Sequence, residues 1–415
     1  MVFGFFKDKS NPEKLGTTTA IDDEPVIEPP ILEKKPGFQT TEGATAVVTG
    51  SSGLCGSRLA EILLERGAAC VILMDVCKPN ATLQARFLEA ETKCSGKFIH
   101  FNGSDGDLTN PDAIDKVFSS VPKIDVVYHI AALVGPFHDA PMYYKVNVLG
   151  TKMILDACKK YNVPKLVNAS SPSTRFHGGD IEGQREDELD FPKTYVAIYA
   201  ETKAEAERLV TAATCEELRT VSVGPHQIYG PHDSLFLPAF LSTMGNQRLR
   251  IFGKGDKLMS VCYVDNYCHG LICGADEIEN PNSPALGKFY IITDTKPVNL
   301  WDIINDAGMQ MGFSDLRKKT HLPLLLLYFI AYLCAGYTYI TNKKTKLNPF
   351  TVRMMTIHRY FSPELSRRDL KYEPLYTFEE AWVVTKDWFQ KNWLPKFCEE
   401  TGRTFHANQK TEKMD

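Results

Sequence analysis

Thr49-Gly50-Ser51-Ser52-Gly53-Leu54-Cys55-Gly56 is the stretch that decides the fold of this 415-residue chain. It follows a β-branched run at 46–48 and precedes leucines at helical spacing. Its glycines allow a tight turn, a close backbone approach to a pyrophosphate and close helix–strand packing. The helix that follows would offer free N–H groups to phosphate oxygens. We therefore predict a dinucleotide-binding loop in which Gly50, Gly53, Leu54 and Gly56 lie beside the cofactor. A glycine-rich turn without a ligand is the alternative for the triplet alone.

Acidic residues follow the next two strand-like runs. Asp75 ends the run 70–74, where its carboxylate would accept hydrogen bonds from both ribose hydroxyls and repel a 2′-phosphate. This charge argument favours NAD over NADP. Asp107, followed by Leu108, comes after the third run and would reach the adenine. The alternatives are an ordinary turn residue for Asp75 and a helix cap for Asp107, since Pro111 begins a helical segment.

Strand-like and helical segments alternate along the first half of the chain. Further strand-like runs lie at 98–101, 124–130, 166–169 and 220–223, and segments of helical period lie at 110–119, 142–161 and 195–213. This alternation predicts an α/β fold with a doubly wound parallel sheet, the Rossmann arrangement. We expect a flexible leader (1–43), an NAD-binding domain (44–230), a smaller C-terminal substrate-binding part (231–395) and a tail (396–415).

Two short segments carry the groups for an alcohol oxidation. Tyr199 and Lys203 lie one helical turn apart, on the same face. A lysine ammonium and a nicotinamide cation would lower the phenol pKa, so that Tyr199 takes a proton while hydride leaves the alcohol. Ser171 lies at the end of the fifth strand-like run, and ligands bind at the carboxyl ends of such strands. A Tyr–Lys pair on an ordinary amphipathic helix and a strand-to-loop serine cap are the alternatives.

Composition excludes several classes of protein. The chain is 43% hydrophobic and 24% charged, with a formal net charge of −4, so it is neither disordered throughout nor built mainly for nucleic-acid backbones. Its 11 cysteines include no Cys-x-x-Cys pair, and no histidine cluster has zinc-ligand spacing. We therefore expect no metal site and a reducing, cytosol-facing compartment.

Taken in order, these motifs resemble those of the extended short-chain dehydrogenases, and within them the 3β-hydroxysteroid dehydrogenase family. The resemblance covers residues from about 45 to about 395. Besides the segments above, the matching pieces are His129-Ile130-Ala131-Ala132, Asn147-Val148-Leu149-Gly150-Thr151, Pro225-His226-Gln227-Ile228-Tyr229-Gly230-Pro231 and Tyr263-Val264-Asp265-Asn266.

The resemblance implies roles for individual residues. The implied catalytic triad is Ser171, Tyr199 and Lys203, and the further residues on the cofactor side are Ala131, Ala132, Asn147 and Pro225. Tyr199 and Lys203 would also contact the cofactor. Two positions depart from the family pattern, because Gly224 stands where arginine is usual and Asn168 where tyrosine or threonine is common.

The resemblance also implies an activity, and it is closest to members that oxidise sterol 4α-carboxylates. Oxidising a 3β-hydroxyl beside a 4α-carboxylate gives a β-keto acid, which loses carbon dioxide through an enol. Three alternatives stay open: a 3β-hydroxysteroid dehydrogenase with Δ5–Δ4 isomerase activity, a nucleotide-sugar epimerase or dehydratase, and a non-catalytic NAD-binding scaffold.

An uncharged run at 322–340 points to a membrane. It has 19 residues and four tyrosines, and basic residues flank it on both sides. A helix of this length is at the lower limit for spanning a bilayer, and a buried core helix is the alternative. Residues 351–393 resemble the closing part of the same catalytic fold, so we expect the run to dip into one leaflet. We expect the cytosolic face of the endoplasmic reticulum membrane or a lipid droplet as location, and a homodimer as assembly.

Overall fold

The computed structural model describes residues 41–135, 138–341, 345 and 347–405. Almost all of the expected leader, the end of the expected tail and the basic residues that follow the apolar run (Lys343, Lys344 and Lys346) lie outside the described residues.

The strands form one large sheet and two small ones. The strands among the described residues are β1 (Thr45–Thr49), β2 (Cys70–Asp75), β3 (Lys97–Asn102), β4 (Val126–His129), β5 (Lys165–Ala169), β6 (Ile181–Gln184), β7 (Arg219–Pro225), β8 (Ile228–Tyr229), β9 (Leu258–Met259), β10 (Cys262–Tyr263), β11 (Phe289–Ile292), β12 (Val298–Asn299) and β13 (Arg359–Phe361).

The large sheet has seven parallel strands in the order β11-β7-β5-β4-β1-β2-β3. The strand order reverses between β1 and β4, where Val47 pairs with Ile72 on one side and with Val127 on the other. Open sheets of this kind bind ligands outside the carboxyl ends of their strands at such a switch point. The predicted Rossmann sheet is confirmed.

Helices connect the strands. The α-helices are α1 (Leu54–Glu65), α2 (Ala81–Lys93), α3 (Pro111–Phe118), α4 (Ala140–Tyr143), α5 (Gly150–Lys160), α6 (Ile198–Ala213), α7 (Leu237–Gly245), α8 (Val264–Glu277), α9 (Leu300–Gln310), α10 (Leu324–Thr341), α11 (Pro349–Met354), α12 (Glu364–Leu370), α13 (Phe378–Trp388) and α14 (Leu394–Thr401). Single π-helical turns join α4 to α5 and α13 to α14.

Side chains of β1 show how the helices cover both faces of the large sheet. Ala46 and Val48 belong to the apolar cluster that contains α1 and α8, whereas Val47 belongs to the cluster that contains α3 and α5. Successive strand residues point to opposite faces, so this division places one helical layer on each side. Because both faces are buried, the strands are continuous apolar runs.

The expected domain boundary at residue 230 does not coincide with the edge of the large sheet. Its last strand, β11, lies well beyond residue 230 and pairs with β7, Ile291 lying opposite Gly224. Conversely, β6 precedes residue 230 but joins the small sheet β12-β9-β13-β6. The chain therefore leaves the large sheet three times, after β5, β7 and β11, and returns to it at β7 and at β11.

The packed chain also continues into the expected tail. Helix α14 runs to Thr401 with Phe397 buried, and the Phe405 ring lies 4.6 Å from the Phe313 ring, centroid to centroid.

Candidate active site

The glycine loop between β1 and α1 has no room for side chains at two positions. Gly50 has a φ of +71°, and a Cβ there would lie 2.8 Å from the Ala131 backbone. A Cβ on Gly56 would lie 2.1 Å from the Gly50 carbonyl oxygen. No described side chain caps α1 at Gly53, so first-turn N–H groups are left for a phosphate. The loop therefore has the close packing and the helix terminus that a pyrophosphate needs.

Asp75 ends β2 beside this loop. One carboxylate oxygen accepts a hydrogen bond from the Ser52 N–H at 2.9 Å, and the other accepts one from the Cys77 N–H at 2.7 Å. Burial raises the pKa of Asp75, and these hydrogen bonds oppose that rise. The loop thus fixes the carboxylate at the strand end where a ribose is expected.

The Asp107 carboxylate is already engaged in its own turn. Its Oδ1 accepts hydrogen bonds from the backbone N–H and the hydroxyl of Thr109, each at 2.8 Å. The cap of α3 is Asn110 rather than Asp107. Leu108 is buried against Gly150, where a Cβ would lie 1.8 Å from its Cδ1. The adenine-side roles of Asp107 and Leu108 stay predictions.

Asn147 connects the strand end at 131–133 to the helix that carries Tyr199. Its Oδ1 accepts a hydrogen bond from the Leu133 N–H at 2.8 Å, and its Nδ2 donates to the Thr202 hydroxyl at 3.2 Å. The Ala131 N–H donates to the Thr49 hydroxyl at 3.1 Å. Asn147 is buried, so these bonds hold the segment through Ala132 in place.

The three predicted catalytic residues come together at the carboxyl end of β5. The Ser171 side chain lies close enough to the Tyr199 phenol to lower its pKa. The Ser171 hydroxyl also accepts a hydrogen bond from the Ser173 N–H at 3.2 Å. Lys203 donates from Nζ to the Ala169 carbonyl oxygen at 2.5 Å. In this arrangement a substrate hydroxyl can pass its proton to the phenol oxygen of Tyr199, while the Ser171 hydroxyl contacts the substrate oxygen.

Burial dominates the electrostatics of the site. It raises the pKa of Tyr199 to about 12, although the Ser171 side chain lowers it. Burial also lowers the pKa of Lys203 to about 8, against the opposing effect of Glu207. The expected lowering of the Tyr199 pKa is therefore not supplied by these protein groups, because desolvation outweighs the effect of the Ser171 side chain. Of the two cations that we expected to lower the Tyr199 pKa, the nicotinamide ring of the cofactor is the one that remains.

A buried charge pair that the sequence motifs did not indicate lies behind the predicted catalytic residues. Glu207 forms an ion pair with Arg175 at 2.5 Å and accepts a hydrogen bond from the Ser170 hydroxyl at 2.6 Å. Both charged side chains are buried. Glu207 follows Lys203 by one helical turn, and this i, i+4 spacing is the signal that could have indicated it.

The Gly224 departure has a steric reason. A Cβ at this position would lie 2.7 Å from the Phe289 ring and 2.9 Å from the Ser171 nitrogen. The Arg175 guanidinium lies over the same phenylalanine ring, 4.1 Å from its centroid. A guanidinium therefore does lie on the Phe289 ring beside position 224, but it belongs to Arg175, on another segment of the chain.

The structure offers no metal centre in the part of the chain that it describes. No group of three or more His, Cys, Asp or Glu side chains there could hold a metal ion, and all 11 cysteines are free thiols.

Known proteins resemble this chain in sequence and in structure. The chain is 26% identical over 345 residues to a 2-alkyl-3-oxoalkanoate reductase of Shewanella oneidensis, with 81% of this chain and 84% of the relative covered. It is 28% identical over 341 residues to a mouse (Mus musculus) sterol-4-alpha-carboxylate 3-dehydrogenase, decarboxylating, covering 80% and 88%. A UDP-glucuronic acid 4-epimerase from Bacillus cereus, solved in complex with NAD, superposes with a TM-score of 0.59 at 20% identity, covering 83% and 98%.

A family model also matches most of the large sheet and its helices. It describes the 3-beta hydroxysteroid dehydrogenase/isomerase family and matches residues 47–324, from the middle of β1 to the first residue of α10. The match spans the glycine loop, Asp75 and the Ser171–Tyr199–Lys203 group. The chain therefore belongs to the 3-beta hydroxysteroid dehydrogenase/isomerase family and is an NAD-dependent oxidoreductase that acts on a CH–OH group.

Proposed function

We propose that this chain oxidises the 3β-hydroxyl of a sterol 4α-carboxylate with NAD and that the product loses its carboxyl group as carbon dioxide. The meeting of the Tyr199 and Ser171 side chains, with Lys203 beside them at the carboxyl end of β5, carries this proposal. The names of the sterol dehydrogenase relatives support the substrate class.

Tyr199 accepts the hydroxyl proton while the hydrogen on C3 leaves with its electron pair. NAD supplies the acceptor for that hydride. Ser171 donates a hydrogen bond to the substrate oxygen, and Lys203 holds the nicotinamide ribose. The C3 ketone then accepts the electrons of the C4–carboxyl bond, so carbon dioxide leaves and the resulting enolate takes up a proton from water at C4. The protein needs no further group for this last step.

An assay with purified protein in detergent tests the proposal. NADH is followed by absorbance with 3β-hydroxysterols that carry or lack a 4α-carboxylate, and carbon dioxide is collected in parallel. We expect NADH to form with the 4α-carboxylates, and we expect carbon dioxide to be released from these substrates alone. NADH without carbon dioxide would favour a dehydrogenase/isomerase. Turnover of nucleotide sugars alone would identify an epimerase or dehydratase, and no turnover would indicate an NAD-binding scaffold.

Asp75 is proposed to set the cofactor preference. Asp75→Ala removes the carboxylate that would accept from the ribose hydroxyls and repel a 2′-phosphate. We expect the ratio of kcat/KM with NAD to kcat/KM with NADP to fall by about 10- to 100-fold, the size of one or two charge-assisted hydrogen bonds. Steady-state kinetics with both cofactors measure this ratio, and Asp105→Ala, on the exposed surface, is the matched control. An unchanged ratio would remove Asp75 from the ribose site.

Helix α10 is proposed to bind the surface of a membrane. It has 18 residues and a mean hydropathy of 1.7, yet only 11% of it is buried. Leu325 is 88% exposed and Ile340 is 82% exposed. Such a row of exposed apolar side chains on a water-soluble surface marks an interaction site.

Contacts around the first half of α10 support a helix that lies along one leaflet. Leu327 and Ala331 pack against Leu347 and Val352 of the chain that returns through α11. Just before the helix, Leu322 exchanges backbone hydrogen bonds with Ile251 and Gly253, each at 2.9 Å. The chain that enters the helix and the chain that returns after it thus both lie beside its first half, whereas a spanning helix would carry the returning chain across the bilayer.

Vesicle binding tests this surface. We expect the variant Leu325→Ser/Phe329→Ser/Ile340→Ser to lose at least about tenfold in affinity for phosphatidylcholine–phosphatidylserine vesicles, because each apolar side chain contributes about 1.5–3 kcal/mol when buried. Flotation measures the bound fraction. Val383→Ser is the control, since Val383 is an exposed apolar residue on α13. Equal binding by wild type and triple variant would reject the proposal.

The cellular location follows from the same proposal. A sterol-oxidising enzyme with α10 in one leaflet would lie on the cytosolic face of the endoplasmic reticulum membrane or on a lipid droplet, because free thiols fit a reducing compartment. The homodimer expected from the sequence stays a prediction.

A further inference from the structure

Arg359 on β13 is a cation without an acidic partner among the residues that the structure describes. Its Nη1 contacts His226 Nε2 at 3.4 Å, and its Nη2 donates to the Met354 carbonyl oxygen at 3.0 Å. Its Nε is buried and has no hydrogen-bond partner in the described chain. Burial lowers the pKa of Arg359 to about 10. Arg359 is partly buried, and cations with little access to water are normally paired with an anion, so this guanidinium has donors to spare for a ligand.

His226 orients this guanidinium without neutralising it. The His226 Nδ1 lies 2.6 Å from the Ser260 carbonyl oxygen, which can only accept a hydrogen bond. Burial lowers the pKa of His226 to about 3, so the ring is neutral and its single proton is on Nδ1. The lone pair on Nε2 therefore accepts from Arg359. The imidazole fixes one edge of the guanidinium and leaves its charge uncompensated.

Two routes through the chain bring Arg359 to the side of Ser171. His226 follows β7 directly, and Gly224 on β7 lies against the Ser171 nitrogen. Arg359 also pairs with Ile181 on β6, which follows the turn at 172–175. The guanidinium is thus attached to the two segments that leave the carboxyl ends of β5 and β7, the edge where the substrate is expected.

The substrates for which two groups of relatives are named share one chemical feature. A sterol-4-alpha-carboxylate 3-dehydrogenase reacts at C3 and has its carboxylate on C4. A 2-alkyl-3-oxoalkanoate reductase also reacts at C3 and has its carboxylate on C2. In both cases the carboxylate is attached to the carbon next to the one that reacts. The two groups therefore act on the same β-oxygenated acid unit.

We propose that Arg359 binds the carboxylate of such a β-hydroxy acid, through its Nε–H and an Nη–H, and so selects acids over neutral alcohols. This inference rests on the proposed function, because it names the group of the substrate that the site would recognise. A planar guanidinium matches a carboxylate in a bidentate contact that an ammonium does not reproduce. Fixing the carboxylate also orients the neighbouring carbinol toward Tyr199 and Ser171.

Matched acid and ester substrates test this inference. The two pairs are a 4α-carboxysterol with its methyl ester and a 2-alkyl-3-hydroxyalkanoate with its methyl ester. For Arg359→Gln we expect the ratio of kcat/KM for the acid to kcat/KM for the ester to fall about 10- to 100-fold, mainly through KM. Arg359→Lys should restore only part of it. Arg367→Gln is the control, since Arg367 forms an exposed ion pair with Glu373 at 3.5 Å on the neighbouring helix.

The outcomes separate this inference from the proposed function. Equal losses with acid and ester, or a wild-type enzyme that prefers the ester, would overturn the role of Arg359 and leave sterol oxidation standing. If only the alkanoate pair were oxidised, the proposal of a sterol substrate would be wrong. The ratio of kcat/KM for the alkanoate acid to kcat/KM for its ester would still test the role of Arg359. A wild-type enzyme that oxidises neither pair overturns both. The affinity for NAD, measured by fluorescence, should be the same in all variants, and a parallel loss of NAD binding would assign Arg359 to the cofactor instead.

Discussion

Tyr199→Phe is expected to lower kcat for sterol oxidation by about 10²- to 10⁴-fold, the usual contribution of a positioned proton acceptor. The substitution removes one oxygen atom and keeps the ring, which lies edge-on to Tyr143 with centroids 6.5 Å apart. Packing is therefore preserved, and the loss falls on the proton transfer. Turnover of NAD to NADH at saturating sterol measures kcat.

Cofactor binding separates a lost proton acceptor from a damaged site. The affinity of Tyr199→Phe for NAD should stay close to that of the wild type, because Lys203 keeps its hydrogen bond to the Ala169 carbonyl oxygen. Tyr195→Phe is the matched control, since Tyr195 is outside the catalytic group and its hydroxyl accepts a hydrogen bond from Arg208. Undiminished kcat in Tyr199→Phe would show that another group takes the proton.

Glu207→Ala is expected to lower the free energy of unfolding by about 3–5 kcal/mol, the cost of leaving one partner of a buried ion pair alone. The substitution would leave the Arg175 guanidinium buried without its anion and would remove the acceptor of the Ser170 hydroxyl. Denaturant unfolding followed by circular dichroism measures the change. The substitution should also disturb the active site, because Ser170 directly precedes Ser171.

An exposed ion pair on a neighbouring helix provides the comparison. Asp156 and Lys152 on α5 form an i, i+4 pair at 2.6 Å with both side chains more than half exposed. Asp156→Ala should therefore change stability by less than about 0.5 kcal/mol. If Glu207→Ala changed stability as little as Asp156→Ala, the buried pair would have no structural role.

Local signals predicted the large sheet and the positions of the catalytic groups. The glycine spacing, the strand-like runs and the Tyr–Lys spacing each arise within a few residues, and each has a direct steric or periodic cause. Asp75 and Ser171 could be predicted because parallel strands bring their carboxyl ends to one edge. In the structure Asp75 ends β2 and Ser171 follows β5, while their roles stay predictions.

Long-range pairing explains what the sequence did not indicate. β11 is a four-residue strand far from the other six, and nothing local shows that it extends the large sheet. Arg359 and His226 meet across more than a hundred residues, through a three-residue strand. The burial that raises the pKa of Tyr199 is likewise a property of the whole packed site rather than of its own helix.

The place of α10 in the chain has a consequence for synthesis and assembly. All seven strands of the large sheet lie before residue 293, so a ribosome releases the whole cofactor-binding sheet before it releases α10. β13, which carries Arg359, emerges only after α10 and must return to β6, about 180 residues earlier, a closure whose entropic cost rises only slowly with loop length. The cofactor-binding sheet can thus form before α10 emerges, whereas the small sheet that contains Arg359 is completed only after α10 has been released.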